Sequence, residues 1–407
     1  MARGPSGSGA AVVTVTPFLQ FDAVPHGGGR YLQRLEHALA ASGLSQVWVA
    51  PDTPSNRHAA LQPGCPPHHL VGSPPGASWP IKAVRRALAE VDGRGRRIDP
   101  GLPNLPLATG LRRDPVRSLL AGAPVIDLQW SEAIRLAGIV RRLAPNARLV
   151  GTFHDVQSQL FGREATRPGQ TAAQAAAWRT QAAWARVWER RGVRRLDDVV
   201  VFSEKDADLL PVGTAPVHIL RPPLAPKKAP THTQPDEPVV VVVSYLAREE
   251  NQDAAIWLLT DIWPLVRQRL PGARLRIIGG GAPAELVPLA DAARAELAGF
   301  VDDLDAEYAA ASVALVPLRT GAGVKFKTIE ALVAGVPVVA TPTGAEGVAG
   351  EDLLGTLPPT AAGVADRLVE VLSDPAAAQG KADRLQQWAM GEFGMHRFTT
   401  LVRGIYG

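Results

Sequence analysis

The chain has 407 residues and a single cysteine, Cys65, so no disulfide closes within it and a disulfide-stapled secreted scaffold is excluded. Aromatic residues make up only 5% of it. No nucleic-acid-binding signature accompanies that sparse content, which argues against nucleic acid as a partner. No apolar run approaches the ~18 residues that a membrane-spanning helix needs. The first apolar stretch, residues 10–15, is short, contains threonine and is soon followed by Pro17, so it reads as a strand and not as a signal peptide. The expected compartment is the cytoplasm. Lysine is also rare, with 7 against 36 arginines. A lysine in a patterned position therefore stands out.

Hydrophobic residues at 46% and charged residues at 20% fit an ordinary folded protein. At ~150 residues per domain the length suggests two domains, each large enough for its own core. The net charge of +4 hides an asymmetry. Residues 1–225 carry 27 Lys+Arg against 17 Asp+Glu, and the remainder 16 against 22. A basic half points to an anionic partner, either a phosphorylated small molecule or a phospholipid surface.

Strands and helices alternate. The first half predicts strands at 11–16, 46–50, 124–128, 148–153 and 198–202. Its helices fall at 31–41, 131–143, 171–191 and 204–210, with Ser203 as a cap. Residues 21–29 read as a loop ending in three glycines, and 51–115 are rich in Pro and Gly, with a short basic helix near 81–91. A proline-rich stretch from Arg221 to Pro238 reads as a linker. The pattern then restarts, with strands at 238–243, 274–278, 313–316 and 336–340, helices at 253–270, 303–310 and 325–334, and a largely helical tail over 361–398. Such alternation predicts two doubly wound parallel-sheet domains facing a central cleft. Ligands then sit in loops beyond the carboxyl ends of the strands.

The densest signal is residues 317–347, PLRTGAGVKFKTIEALVAGVPVVATPTGAEG. A strand ends, a loop with Gly321 and Gly323 leads into a helix, and Lys325 and Lys327 bring positive charge to its start. Backbone N–H groups and the helix dipole at such a place favour an anion. Glu330, one turn further on, is placed to accept two hydrogen bonds from a diol. Phosphate at the helix start with ribose one turn on suits a nucleotide diphosphate. Solvated lysines, a helix-start glutamate and tight-turn glycines are the plainer reading of the same residues.

The string resembles the donor-binding core of family 4 glycosyltransferases, retaining enzymes of the GT-B fold, and most closely their subgroup with G-x-G-x-K-x-K-x-x-E-A-x-x-x-G-x-P-V-V-A-T. Gly321, Gly323, Lys325, Lys327, Glu330, Ala331, Gly335, Pro337, Val338, Val339, Ala340 and Thr341 match in register. Residues 251–264 and 271–280 resemble the start of that donor domain, and 299–304 the loop that meets the nucleobase. Gly27-Gly28-Gly29-Arg30 resembles the glycine loop beneath the donor phosphates, and Phe153-His154-Asp155 the site histidine loop. The resemblance covers most of the chain except 51–120.

It implies a transferase that moves a sugar from a nucleotide-diphosphate sugar to an acceptor, a saccharide, lipid-linked or natural-product molecule, with retention and no obligatory metal or other cofactor. Lys327 and the backbone of Gly323, Val324 and Lys325 would hold the diphosphate, and Glu330 the ribose. Phe300 and Val301 would flank the base. Gly28 and Gly29 would lie by the phosphates, and His154 would meet the donor sugar or a reacting hydroxyl. Residues 1–222 would form the acceptor-side domain, 223–237 a linker, 238–385 the donor domain, and 386–407 a helix returning to the first domain. Two departures stand out. Ala322 occupies a position where many members carry a carboxylate. Tyr245 and Glu250 occupy places usually held by an Arg and a Lys, which leaves Arg248 as the substitute cation. A nucleotide-sugar 2-epimerase of the same fold and a catalytically silent nucleotide-sugar-binding partner are the alternative functions.

The remaining candidates have plain readings. His26, Asp155 and the pair His68-His69 read as loop or structural residues, and Asp302-Asp303-Leu304-Asp305 as an acidic helix start. Trp178, Trp184 and Trp188 share a stretch with Arg179, Arg186, Arg190, Arg191, Arg194 and Arg195. Packed tryptophans and solvated arginines are the favoured reading. Peripheral contact with an anionic membrane at its inner face is the other.

Overall fold

A computed structural model of the chain describes residues 11–19, 27–72, 105–167, 169–348, 354 and 360–407. His26 and the helix expected near 81–91 lie outside the described residues. The chain divides into two compact units, residues 1–222 with 398–407, and residues 223–397.

The first unit is built on a parallel sheet of seven strands: β1 (Val12–Val15), β2 (Gln46–Pro51), β3 (His68–Val71), β4 (Val125–Gln129), β5 (Arg148–Thr152), β6 (Asp198–Val201) and β7 (Val217–Ile219). Their order is β3-β2-β1-β4-β5-β6-β7. Val13, Val15, Ile126, Leu128, Leu149 and Val199 pack on one face against Leu107, Leu120 and Val140. Burial on both faces explains why these strands are continuous apolar runs. The helix Met395–Tyr406 adds its buried Phe398, Val402 and Ile405 to this architecture.

The second unit holds β8 (Val239–Val243), β9 (Arg274–Ile278), β10 (Glu296–Gly299), β11 (Val313–Val316) and β12 (Val338–Ala340), parallel, in the order β10-β9-β8-β11-β12. Alternation sorts its side chains. Val240, Val242, Leu275, Ile277, Val313 and Leu315 meet Leu258, Ile262, Trp263 and Leu368. Val241, Ile278 and Ala314 face the other way, onto Tyr308, Ala331 and Val336. Each such side chain, fully removed from water, contributes roughly 1.5–3 kcal/mol. Residues 223–238 lie along this unit, where Ala225 N–H donates to the Phe393 carbonyl at 3.0 Å and the Gln386 amide to the Pro230 carbonyl at 2.8 Å.

Several elements differ from the sequence expectations. The glycine triplet is not a loop end: the helix Gly27–Ala41 starts on it. The helix expected over 131–143 is two, Trp130–Ile134 and Ala137–Leu143. The one expected over 253–270 begins earlier, as Glu249–Trp257, widens into a π turn at Leu258–Ile262 and resumes as Trp263–Arg269. Pro264, which lacks the N–H that an α ladder needs, lies two residues past the end of that turn. Strands β3, β7 and β10 went unanticipated. They are sheet edges with mixed sequences (HHLV, VHI, ELAG), so one-sided burial gave no apolar run.

Candidate active site

In each sheet the strand order reverses beside the first strand: between β1 and β4 in the first unit, and between β8 and β11 in the second. Such switch points are where loops part to leave a crevice.

In the second unit the loops after β8, β9 and β10 are laced together by backbone. Ser244 N–H donates to the Ile278 carbonyl at 2.8 Å, Leu246 N–H to the Gly280 carbonyl at 2.8 Å, and Gly279 N–H to the Gly299 carbonyl at 2.7 Å. Across the switch point, the loop after β11 leads into the helix Phe326–Ala334, with Lys325 at its N-cap. Lys327 Nζ donates to Ser244 Oγ at 2.7 Å and to Asn251 Oδ1 at 2.9 Å. Asn251 is oriented by its own Nδ2, which donates to the Tyr245 carbonyl at 2.8 Å. One ammonium thus joins the loops that follow β8 and β11. Burial lowers the Lys327 pKa to about 7; the neighbouring Lys325 pushes it the same way, as does Arg248, while Glu250 and Glu330 oppose them. An ammonium so close to losing its proton is one that an arriving anion would re-protonate.

The two loop lysines do different work. Lys325 is buried, and its Nζ donates to the carbonyls of Gly323 at 2.7 Å and Ala322 at 2.9 Å, with Glu346 Oε2 at 3.8 Å. It braces the glycine loop from within. Val324 packs at the margin of the cluster around Ile329 and Leu332. Glu330 is partly buried, three residues beyond Lys327 and so on the same face of the helix. Arg248 is exposed and N-caps Glu249–Trp257, 3.5 Å from Glu250. Val301 packs beside Ile278 and Tyr308, whereas Phe300 beyond β10 is 75% exposed. Asp303 caps the helix Leu304–Ala309 by accepting from Ala306 N–H at 3.0 Å, which accounts for the acidic cluster. Arg319, which sequence reasoning passed over, ties the loop after β11 to Asp253, with Nε 2.9 Å from Oδ2.

The first unit gathers aromatic rings at its switch point. His154, in the loop after β5, stacks on Trp130 with ring centroids 3.7 Å apart and planes 12° from parallel. Tyr31 and Phe202 meet its edges at 5.3 and 4.9 Å. His154 Nε2 lies 2.8 Å from Gln129 Oε1. Behind Gln129 is Asp127, fully buried, which accepts from Gln129 Nε2 at 2.8 and 2.9 Å, from Thr14 Oγ1 at 3.2 Å and from the Tyr406 hydroxyl at 3.0 Å. Burial pushes the Asp127 pKa up to about 6 against these donors. Trp130 has φ +65°, a left-handed conformation that costs a bulky residue about 1–3 kcal/mol. Its indole fills the space beside Gly28, where a Cβ would fall 2.7 Å from Cζ2. Gly28 and Gly29 thus belong to a helix start set against an aromatic ring. Gln129 and Trp130 were missed in the sequence. The readable signal was a glutamine at the end of a strand and a tryptophan directly after it, where site residues gather.

The candidates elsewhere are structural. His68 Nδ1 lies 2.8 Å from the Pro66 carbonyl on an edge strand. Among the described residues no three His, Cys, Asp or Glu side chains come together as a metal site. No described helix is long and apolar enough to cross a membrane. In the helix Ala172–Val193, Trp178 stacks on Phe161 at 5.6 Å and Arg191 covers Trp188 at 4.9 Å, while Trp184 is 43% exposed. Packing therefore accounts for two of the three tryptophans.

Comparison with known proteins places these features. Residues 237–374 match the family described as glycosyl transferases group 1. A GDP-mannose-dependent alpha-(1-6)-phosphatidylinositol monomannoside mannosyltransferase of Mycobacterium tuberculosis is 38% identical over 122 residues, covering 27% of this chain and 31% of that protein. The chain thus matches about a third of the length of the curated relative. The structure of Anabaena HepE in complex with UDP and glucose aligns over 97% of this chain and 99% of its own, at 13% identity and a TM-score of 0.61. A glycosyltransferase from Rickettsia africae aligns over 98% of this chain and 97% of its own, at 10% identity and 0.61. For WaaG, a glycosyltransferase involved in lipopolysaccharide biosynthesis, the shares are 97% and 98%, at 15% identity and 0.59. The chain has the GT-B fold of these structural neighbours, and its residues 237–374 match the glycosyl transferases group 1 family.

Proposed function

We propose that this protein is a glycosyltransferase that moves a sugar from a nucleotide-diphosphate donor to an acceptor hydroxyl, with retention of anomeric configuration and without a metal. The observation that carries the reading is the Lys327 ammonium, held by Ser244 and Asn251 at the switch point of the second unit, with Glu330 one turn further along the helix. Lys327 and the loop N–H groups around Gly323, Val324 and Lys325 bind the diphosphate and stabilise it as it leaves. Glu330 accepts from the ribose hydroxyls, and the exposed Phe300 stacks on the base beside Val301. Arg248 supplies the second positive charge, Gly28 and Gly29 offer helix-start N–H groups, and His154 meets the donor sugar or the reacting hydroxyl. The mannosyltransferase relative uses GDP-mannose and the Anabaena neighbour holds UDP, which supports a nucleotide diphosphate without choosing the base.

That relative's phosphatidylinositol-linked substrate supports a lipid-linked acceptor. The exposed Trp184, on the arginine-rich helix Ala172–Val193, would then rest on an anionic bilayer. Failure to co-sediment with anionic vesicles at low salt would remove that contact.

Calorimetry with GDP and UDP tests the donor site. Glu330→Ala is expected to weaken binding of the preferred nucleotide by about 1–3 kcal/mol, the scale of hydrogen bonds to a charged group. An unchanged dissociation constant would refute its role. Incubation with GDP-mannose and UDP-glucose separates the functions. Release of an epimerised sugar would mean an epimerase, and binding without turnover in the presence of extracted acceptors would mean a silent partner.

A further inference from the structure

The His154 ring is held by two neighbours that do different things. The Trp130 indole, stacked at 3.7 Å, sets the plane of the imidazole. A stacked imidazole can still turn half a rotation about its Cβ–Cγ bond and remain stacked, with its other face on the indole. The 2.8 Å contact between Nε2 and Gln129 Oε1 selects one of those two settings.

Gln129 has its own orientation dictated from behind. Its Nε2 lies 2.8 and 2.9 Å from the two Asp127 oxygens and 3.1 Å from Thr152 Oγ1. A flipped amide would set its oxygen against the carboxylate. Asp127 is fixed in turn by donation from Thr14 and Tyr406, and Thr14 accepts from Gln46 Nε2 at 2.7 Å. The strand register builds this arrangement, for Thr14 pairs with Asp127 and Gln129 with Thr152 on adjacent parallel strands. An amide oxygen only accepts, so His154 Nε2 carries the proton. The basic nitrogen of the neutral ring is then Nδ1.

We propose that Asp127 and Gln129 are positioning residues that hold His154 in its Nε2–H tautomer and make Nδ1 the ring's hydrogen-bond acceptor. Only the identity of the group that donates to Nδ1, a hydroxyl of donor sugar or acceptor, rests on the glycosyltransferase reading. The tautomer is a property of the free protein.

The test is a nitrogen-detected histidine spectrum of the full chain labelled with 15N-histidine, at alkaline pH, with the His154 signals assigned by their loss in His154→Asn. The expected wild-type pattern is a protonated Nε2 and a bare Nδ1. Asp127→Asn keeps the volume but lets the Gln129 amide face either way, so both tautomers should be seen. Gln129→Met should likewise lose the single tautomer. A wild-type spectrum with a bare Nε2, or one unchanged tautomer in both variants, would overturn the proposal. If Gln129→Met fails to fold, the wild-type and Asp127→Asn spectra decide. In turnover with GDP-mannose or UDP-glucose, Asp127→Asn should lower kcat and leave the Kd for GDP or UDP as it was. A mixed tautomer with unchanged kcat would end the positioning role. Absence of nucleotide binding by wild type would end the glycosyltransferase reading while the spectra still judge the tautomer.

Discussion

The Tyr406 hydroxyl donates to the buried carboxylate of Asp127 at 3.0 Å, joining residues 279 apart in the chain. Phe398, Val402 and Ile405 are buried on the same helix, so the bond and the apolar contacts fasten Met395–Tyr406 to the first unit together. Tyr406→Phe keeps the packing and removes one donor from a buried charge. The expected loss is about 1–3 kcal/mol of stability, read from urea unfolding at pH 8. A loss no larger than the ~0.5 kcal/mol of an ordinary surface change would show that the hydroxyl is dispensable.

Asp127 should also leave a mark on the pH dependence of stability. Burial pushes it up to about 6, above the ~3.9 of an unfolded chain. Between those values the folded protein keeps a proton that the unfolded chain has released. Folding therefore becomes less favourable as pH rises through the window, and the cost persists above it. Asp127→Asn has no such dependence. Its stability relative to wild type should climb from pH 4 to pH 6 by an amount on the order of 2–3 kcal/mol and then level off. Chemical unfolding of both proteins across that range is the check, and a flat difference would contradict a raised pKa.

Much of this was readable from residue order. The strands β1, β4, β5, β6, β8 and β11 are buried on both faces, so their largely apolar runs announce them, whereas β9 alternates Arg274 and Arg276 with the buried Leu275 and Ile277. Lys327 and Glu330 are three apart on one helix, and their shared face follows from the spacing. The partners of Lys327 were not readable, because Ser244 and Asn251 lie 83 and 76 residues earlier and only the sheet order brings them near. Nothing local in the sequence distinguished Lys325 as a brace inside its own loop. Asp127 and Gln129 alternate within β4 and so share a face, but their partners Thr14 and Tyr406 come from remote strands and helices. The left-handed backbone of Trp130 has no sequence signature at all, since glycine is the residue that normally adopts it.

Gly279 links the stability of the second unit to its site. It has φ +136°, and a Cβ there would fall 1.9 Å from the Ser244 carbonyl oxygen. The neighbour is backbone, so no side chain can yield. Gly279→Ala must either displace the loop after β8 or strain β9, at a cost above the ~1–3 kcal/mol typical of single substitutions. Ser244 moves with that loop, and Lys327 would lose an acceptor. The expected outcome is a lower unfolding midpoint together with weaker nucleotide binding in the fraction that folds. Gly272→Ala, with nothing within 4 Å of its added Cβ, is the control and should change neither.

Lys327 gives the donor reading a proton-linked signature. With its pKa lowered to about 7, this side chain is largely neutral in the free protein at pH 8. A bound diphosphate stabilises the ammonium and raises that value, so binding above pH 7 takes up a proton. Affinity should fall as pH rises from 7 to 9, by up to about tenfold per unit where the linkage is complete. The terminal phosphate itself titrates near ~6 and adds little in this range. Calorimetry of GDP or UDP at pH 8 in two buffers of different ionisation heat counts the proton directly. Lys327→Arg stays charged throughout and should show no uptake. Its planar fork is poorly matched to a site built for a point charge between Ser244 and Asn251, so its affinity should fall at every pH. Binding by wild type at pH 8 with no proton taken up would remove Lys327 from the phosphate contact.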